Sequence, residues 1–263
     1  MDDQLTAKIA AVARIIGKAR SLLFVTGAGI SADSGVPTYR GIGGLYDVQQ
    51  TEEGYPIEEV LSGEMFEKNP TLTWKYLLQI GRAAEGASPN RAHEFIAWLE
   101  KSLPRVWTLT QNVDGFHRLA GSQNVVEIHG NMHSLYCTSC SSETRVNDYK
   151  CLDSIPNCGS CRSIMRPNVV LFGEALPQKA IAEIFAQIEL GFDAVLSVGT
   201  SSLFPYIRMP ITEARRQGVP TLEINPSETV ISRDVDYHLP LGASDALGQI
   251  WSIVSANSTR STI

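Results

Sequence analysis

The chain has 263 residues, of which 43% are hydrophobic and 19% charged, as expected for a globular protein with one large core, or one large and one small domain. Its formal net charge is −6, which argues against nucleic acid as the main partner because phosphate binding needs a basic surface. The sequence contains no apolar run near the roughly 20 residues of a membrane-spanning helix, so we expect no membrane association.

The chain starts with the acidic segment Met1–Gln4, which leads directly into a patterned helix over residues 5–20. We therefore expect no signal peptide and a cytoplasmic protein. An apolar strand, Leu22–Thr26, follows and ends abruptly at a glycine loop. The later elements, in chain order, are helical segments at 56–61, 70–80 and 92–100, strands at 105–110 and 125–128, a cysteine-containing segment up to Pro167, a strand at 194–198, a helix at about 208–217, a strand at 221–224 and a helix at about 244–255.

This alternation of strand, polar loop and helix predicts an α/β fold, a Rossmann-like doubly wound parallel sheet. In such sheets, ligands bind in the crevice at the carboxyl ends of the strands. The polar loops of this chain fall at those ends, so we expect the functional site there.

Four of the five cysteines form two CxxC pairs, Cys137/Cys140 and Cys158/Cys161, with 17 residues between the pairs. This spacing is typical of a structural zinc site, in which four thiolates leave no open position for water. The alternative is a redox CxxC, although two such pairs are better explained as metal ligands. Cys151 lies between them and is interpreted as an ordinary small residue.

The loop after the first strand, Gly27–Ala32, fits the G-x-G-x-x-G/A pattern of dinucleotide-binding folds. The first glycine permits a tight turn, and the second lets the backbone approach a pyrophosphate. By itself the pattern also fits a simple strand-to-helix turn. The acidic residue that a dehydrogenase places about 20 residues further on is missing.

Polar residues at two other strand ends suggest chemistry. Asn112 and Asp114 follow one strand and offer an amide and a carboxylate, the groups that a carboxamide such as nicotinamide needs. His129 follows the next strand and precedes a glycine at the predicted ligand edge. We therefore choose His129 as the general base, whereas the other histidines are expected to be surface, packing or supporting residues.

Together these motifs resemble the sirtuins, the NAD-dependent protein-lysine deacylases. The resemblance runs in order through nearly the whole chain. It rests on GAGIS (27–31), SGVP (34–37), Arg40–Gly41, TQNVD (110–114), His129–Gly130, the paired CxxC motifs, RPNVV (166–170), FGE (172–174), GTS (199–201) and Asn225–Pro226.

The resemblance implies bound NAD, with its pyrophosphate at the glycine loop and its nicotinamide near Asn112 and Asp114. Asn225 would contact the adenine-side ribose, which accounts for the missing acid. The implied cofactor residues are Gly27, Ala28, Gly29, Ile30, Ser31, Arg40, Gln111, Asn112, Asp114, Gly199, Thr200, Ser201 and Asn225, and the implied catalytic residues are His129, Asn112 and Asp114.

The resemblance also implies an acyl-lysine protein or peptide as substrate, added as a β-strand beside Val169 and Val170. Phe172, Gly173 and Glu174 complete the implied substrate site. The products would be free lysine, nicotinamide and O-acyl-ADP-ribose, so that NAD is consumed and not reduced.

The sequence departs from the family pattern at three places. Tyr39 replaces a common phenylalanine, and Leu171 replaces an aromatic residue. The Tyr-x-x-Arg pair of sirtuins that prefer succinyl or malonyl groups aligns with Leu77 and Ile80. An apolar acyl pocket, and hence acetyl or longer aliphatic groups, is therefore expected.

The expected domain organisation is a discontinuous NAD-binding domain, a helical module and a zinc module. The NAD-binding domain comprises residues 1–40, 86–132 and 168–263, the cofactor loop and helical module 41–85, and the four-cysteine zinc module 133–167.

Three alternative functions remain open from the sequence. A protein ADP-ribosyltransferase would use the same site, and a non-enzymatic zinc-ribbon interaction module would have kept only the fold. A nicotinamide dehydrogenase is disfavoured by the missing acid.

Overall fold

The computed structural model describes residues 3–38, 50–152 and 155–260. Its helices are α1 (Asp3–Lys18), α2 (Gly29–Ala32), α3 (Ile57–Val60), α4 (Gly63–Lys68), α5 (Pro70–Ala83), α6 (Arg91–Ser102), α7 (Phe116–Leu119), α8 (Gln178–Glu189), α9 (Pro205–Arg216) and α10 (Ala243–Arg260). Its strands are β1 (Ser21–Thr26), β2 (Arg105–Thr110), β3 (Val125–Glu127), β4 (Gly130–Cys137), β5 (Glu143–Arg145), β6 (Met165–Val169), β7 (Ala194–Val198), β8 (Thr221–Ile224) and β9 (Tyr237–Leu239).

The main sheet is parallel, with strand order β3-β2-β1-β7-β8-β9. This order reverses direction between β1 and β7, which is the doubly wound topology predicted from the sequence. Residues 22–26 of β1 are all buried because helices cover both faces of the sheet. The predicted fold class is therefore confirmed.

Two apolar clusters lie on the two faces of this sheet. In the first cluster, α1, α6 and α10 pack against β1, β7 and β8. The buried face of α1 contributes Ile9, Val12 and Ile16 to it. The other packs α8 and α9 against the opposite face. Both clusters pack against the strands whose carboxyl ends carry the predicted site.

A second, antiparallel sheet has the order β5-β4-β6. It shares a single apolar cluster with α3, α4 and α5, so the helical and cysteine-containing segments pack as one smaller unit. Trp74 of α5 is fully buried in this cluster, and its Nε1–H donates a hydrogen bond to the Met165 carbonyl of β6 at 3.0 Å.

The structure adds elements that the sequence analysis did not predict: α8, β9 and the antiparallel sheet. The predicted last helix also continues to Arg260. Helix α9 begins at Pro205, earlier than predicted, because its fixed φ favours the first turn. Among the described helices, none has the length and hydropathy to cross a membrane.

Candidate functional site

The candidate site lies where β1, β2, β7 and β8 end side by side. The glycine loop follows β1, Gln111 follows β2, Gly199 follows β7 and Asn225 follows β8. The parallel order of these strands brings residues that are far apart in the sequence to one edge of the sheet.

The loops after β1 and β7 contact each other through their backbones. The Gly29 N–H donates to the Gly199 carbonyl at 2.8 Å, and a Cβ at Gly29 would lie 2.7 Å from the Gly199 Cα. A Cβ at Gly27 would likewise lie 2.7 Å from the Thr200 Cβ. The glycines are therefore required by packing alone, and the loop carries no side chain at positions 27 and 29, which suits a close approach by a pyrophosphate.

Asn112, Ser31 and Asp114 form one hydrogen-bonded network under the glycine loop. The Asn112 amide donates to the Gly27 carbonyl at 3.1 Å and to Ser31 Oγ at 3.2 Å. The Ser31 hydroxyl in turn donates to Asp114 Oδ2 at 2.7 Å. This network joins the loop after β1 to the loop after β2.

The Asp114 carboxyl also accepts a hydrogen bond from the Phe116 N–H at 2.9 Å. Burial raises the pKa of Asp114 above its ordinary value, while the hydrogen bonds from Phe116 and Ser31 act in the opposite direction. A carboxyl so placed can accept a hydrogen bond from a carboxamide and discriminate it from a carboxylate.

A second network crosses from β2 to β8. The Gln111 amide donates to Thr200 Oγ1 at 2.7 Å, and the Asn225 amide donates to the Thr200 carbonyl at 3.2 Å. Ser201 is exposed beside Thr200. The structure thus brings the predicted residues of three strand ends into contact with one another.

His129 lies at the junction of the two sheets, between the end of β3 and the start of β4. Its Nδ1 is 3.1 Å from the Gln111 carbonyl oxygen, and its Nε2 is 2.7 Å from the Tyr206 hydroxyl. A carbonyl only accepts, so Nδ1 carries the proton and Nε2 holds the lone pair of the neutral ring. Burial lowers the pKa of His129, which keeps the ring neutral and able to act as a base.

The predicted substrate segment begins at Val169, the last residue of β6, and runs beside His129. The Val170 N–H donates to the His129 carbonyl at 2.9 Å, and Phe172 pairs with the α3–α4 connection through the Leu61 carbonyl and the Gly63 N–H. Phe172 and Gly173 are exposed. Several backbone groups of this segment therefore already have partners within the chain.

Glu174 forms a two-pronged ion pair with Arg166, with distances of 2.8 and 2.9 Å to Nη1 and Nη2. Its Oε2 also accepts the Leu171 N–H at 2.9 Å, and the Arg166 guanidinium packs over the rings of Phe66 and Tyr136. In addition, Arg166 Nη2 donates to the Val169 carbonyl at 3.0 Å. Glu174 thus stabilises the conformation of the predicted substrate segment through contacts inside the chain.

The four cysteines of the paired CxxC motifs come together, with their Sγ atoms all within 4.8 Å of one another. Tetrahedral zinc–thiolate bonds of about 2.3 Å place sulfurs a little under 4 Å apart, and the Sγ distances of 3.4 to 3.7 Å fit that geometry. The donor set therefore fits a structural zinc ion.

Two predictions fall on residues outside the described ranges, the cofactor role of Arg40 and the effect of Tyr39.

Conversely, sequence reasoning missed Tyr206, Arg166 and Asn90 as neighbours of the site. The Asn90 amide donates to the Ile30 carbonyl at 2.7 Å and so ties α6 to the glycine loop. Its position directly before α6 was a signal for a helix cap, but not for this contact.

A model of the Sir2 family matches residues 27–204 of the chain. The chain is 48% identical to "NAD-dependent protein deacylase 2" of Pseudomonas aeruginosa over 93% of its own length and 96% of that protein.

Solved structures agree in fold over nearly the whole chain. A Sir2 homolog–NAD complex is 33% identical with a TM-score of 0.82, and 94% of each chain is covered. A Sir2 variant with a deacetylated p53 peptide and 3′-O-acetyl ADP-ribose is 29% identical with a TM-score of 0.82, covering 93% of this chain and 97% of that one.

Proposed function

The chain belongs to the Sir2 family, and on that premise we propose that it removes acyl groups from protein lysines with NAD as co-substrate. The sirtuin resemblance of the sequence motifs is thereby confirmed. Related proteins carry the name NAD-dependent protein deacylase, and related structures hold NAD or a peptide with acetyl ADP-ribose. The observation in this chain that carries the proposal is His129, with its basic nitrogen fixed by a backbone carbonyl.

We propose that the glycine loop and the loop after β7 hold the pyrophosphate of NAD. The close backbone contact between Gly29 and Gly199 fixes the loop, and Thr200 is anchored by Gln111 and Asn225 on either side. When bound there, NAD supplies an electrophilic ribose carbon from which nicotinamide leaves.

The network of Asn112, Ser31 and Asp114 is the proposed nicotinamide pocket. Because Asn112 Nδ2 is committed to Gly27 and Ser31, the network is already ordered before a ligand arrives. The Asp114 carboxyl would then accept a hydrogen bond from the carboxamide of nicotinamide.

His129 is the proposed general base for a ribose hydroxyl. Its protonated Nδ1 is held by Gln111, which follows the strand next to β3 in the sheet. This bond fixes the tautomer, so Nε2 is the atom that receives the proton.

The segment from Val169 to Glu174 is the proposed substrate strand site. Its Val170, Leu171 and Phe172 N–H groups donate to His129, Glu174 and Leu61 in the protein alone. Strand addition by an acyl-lysine peptide therefore has to use the remaining backbone groups or displace the Leu61 contact.

We further propose that the acyl pocket takes acetyl or longer aliphatic groups rather than succinyl. Leu77 is buried in the core of the smaller unit, and Ile80 packs against it. The nearby Tyr76 and Arg82 donate to Glu53 and to the Leu152 carbonyl. Matched acetyl and succinyl peptides test this preference, and faster removal of succinyl would contradict it.

A cytoplasmic location and the absence of nucleic acid as a partner also remain proposals. The cysteine cluster supports the first because four thiolate ligands persist in a reducing compartment. The net charge of −6 supports the second. Cell fractionation and a gel-shift assay with duplex DNA and RNA test them.

Replacing His129 by alanine tests the proposed chemistry. We expect deacylation to fall by about 10²- to 10⁴-fold, the usual contribution of a general base. NAD affinity, measured by calorimetry, should change little because the phosphate-binding loops are untouched. His133→Gln, on β4 with its ring bonded to the Val146 carbonyl, is the matched control and should keep its activity.

Full activity in His129→Ala would contradict the assignment. ADP-ribose on protein without acyl-lysine would instead favour the transferase, and formation of NADH would favour the dehydrogenase. Failure of the wild-type protein to bind NAD at all would favour the interaction module.

A further inference from the structure

The side chain that faces the basic nitrogen of His129 comes from α9, 77 residues further along the chain. The Tyr206 hydroxyl is 2.7 Å from His129 Nε2. Since Nδ1 must carry the ring proton, the hydroxyl is the donor and Nε2 the acceptor in this bond. The tyrosine therefore occupies the lone pair that a general base needs.

The ring of Tyr206 is held in place by its neighbours. It meets the His129 ring edge-to-face, with centroids 5.9 Å apart, and it stacks on Phe204 with centroids 5.4 Å apart and planes at 17°. Phe204 also meets His129 edge-to-face at 6.1 Å. Phe204 lies directly before α9 and Tyr206 in its first turn, so the start of this helix packs against the imidazole.

From this geometry we propose that Tyr206 is a positioning residue: it holds the lone pair of His129 Nε2 in the free protein and releases it to a substrate hydroxyl. The proposal rests on the proposed function of His129 as the base. It adds an exchange of hydrogen bonds, in which the Tyr206 hydroxyl leaves Nε2 when the hydroxyl that His129 activates arrives.

The electrostatic consequence follows from the direction of the bond. A hydrogen bond donated to Nε2 stabilises the neutral ring, so it lowers the pKa of His129 in the same sense as burial does. Burial raises the pKa of Tyr206, so its hydroxyl keeps its proton at neutral pH.

Within residues 3–38, 50–152 and 155–260, the other groups with a described contact to His129 are uncharged. Gln111, Val170 and Phe204, which contact it from the loop after β2, the segment after β6 and the start of α9, are uncharged. The carboxyls of the adjoining β2–α7 loop and β3 have partners of their own: Asp114 is bonded to Ser31 and Phe116, and Glu127 to Arg118 and Asn131. Among the described contacts of the imidazole, Tyr206 is the ionisable one.

Tyr206→Phe removes the hydroxyl and keeps the ring, and Tyr237→Phe on the edge strand β9 is the matched control. NMR titration of the His129 imidazole is expected to show its pKa raised by about 0.5 to 1 unit in Tyr206→Phe, the equivalent of one hydrogen bond. Tyr237→Phe should titrate like the wild type. An unchanged His129 titration in Tyr206→Phe would overturn the proposal.

Kinetics then separate positioning from a merely structural role. The acid limb of kcat/KM reports the free enzyme and is expected to move to higher pH by the same amount, whereas the limb of kcat reports the complex and should stay. Equal movement of both limbs would mean that Tyr206 remains on His129 during the reaction, against the exchange. A uniform loss at every pH with no movement would indicate structural damage alone and would also contradict it.

A measurement on the wild-type sequence covers the case in which the variant does not fold. In protein labelled with 3-fluorotyrosine, the fluorine signal of Tyr206 should follow the titration of His129 and shift when NAD and acyl-peptide are added together. A Tyr206 signal insensitive to both would refute the proposal. These titrations need no catalytic turnover. If the protein has no deacylase activity, the proposed function is wrong, but the titrations still test the hydrogen bond between Tyr206 and His129.

Discussion

At the scale of single residues, the site depends on which ring nitrogen of each histidine carries a proton. In His129 the Gln111 carbonyl decides this, and the result is a base with its lone pair on Nε2. Two other histidines, His93 and His117, are buried and make structural contacts.

His93 and His117 form a neutral pair, with ring centroids 4.9 Å apart. His93 Nδ1 lies in the helix cap, 3.3 Å from the Asn90 backbone nitrogen and 3.2 Å from Asn90 Oδ1. The Thr26 hydroxyl donates to Thr110 and so accepts from His117 Nε2, which leaves Nδ1 as an acceptor. His93 Nε2 and His117 Nδ1 are both buried and have no hydrogen-bond partner among the described residues.

Acid should therefore destabilise the protein through this pair. Burial lowers the pKa of His93 from 6.5 to about 4 and that of His117 as well. The unfolded chain then binds more protons than the folded one, so the free energy of unfolding falls as the pH drops from about 6.5 towards 4. Each histidine contributes up to about 1.4 kcal/mol per pH unit in this window.

Urea unfolding of the wild type and of His93→Gln between pH 7.5 and 5 measures this contribution. We expect the free energy of unfolding to depend less steeply on pH in the variant than in the wild type, whatever the stability of the variant at pH 7.5. The contributions of groups that titrate in both proteins cancel in this comparison. Parallel slopes would show that His93 does not titrate on unfolding.

At the scale of elements, the two CxxC motifs join β4 to the segment before β6. These strands share their core with α3, α4 and α5. Zinc at the cysteines would therefore stabilise helices that are distant in sequence, including the one that carries Trp74.

Trp74 provides a local reporter of that coupling. Removal of zinc by a chelator, or the substitution Cys158→Ser, is expected to shift the emission of Trp74 to the red because its buried ring becomes exposed to water. Zinc should restore the emission after chelation, and Cys151→Ser, outside the cluster, should not change it.

Trp74→Phe is the second control for this measurement. The chain has four tryptophans, and the other three pack with the main sheet. If the red shift persists in Trp74→Phe, the loss of zinc has disturbed the main sheet and not the smaller unit alone.

The sequence predicted local and periodic features well. The all-apolar β1, the glycine loop and the cysteine spacing carry their signal within a few residues, and the structure has all three. Helix α8 was missed although its apolar residues recur at helical spacing (Ala180, Ile181, Ile184 and Ile188) and pack under the sheet.

Contacts between distant segments were not predictable in the same way. The bond between Tyr206 and His129 and the tie from Asn90 to Ile30 join residues 77 and 60 positions apart. A tyrosine in the first turn of a helix or an asparagine at its cap has a sufficient local explanation, so nothing in the sequence indicates the second role. The roles of the individual site residues in binding NAD and peptide stay predictions.

At the scale of the whole molecule, the site lies where the main sheet meets the smaller unit. His129 and Gly130 carry the chain from β3 of one sheet into β4 of the other. Gly130 has a φ of +82°, and a side chain there would collide with the Asn168 carbonyl of β6. The proposed base is thus placed between the proposed cofactor loops and the proposed substrate segment.

The predicted division into an NAD-binding domain, a helical module and a zinc module stays a prediction. The shared core of α3–α5 with β4 and β6 favours treating the last two as one unit. Residues 130–132 and 168–169, which the predicted division assigns to the NAD-binding domain, lie in the antiparallel sheet.

The central claim is that this crevice uses NAD to take an acyl group from lysine. Incubating the protein with NAD and an acetyl-lysine peptide, and measuring all products by mass spectrometry, tests it most directly. We expect free-lysine peptide, nicotinamide and O-acetyl-ADP-ribose in equal amounts, and none of the three without NAD. Deacetylated peptide with free acetate and unconsumed NAD would contradict the account.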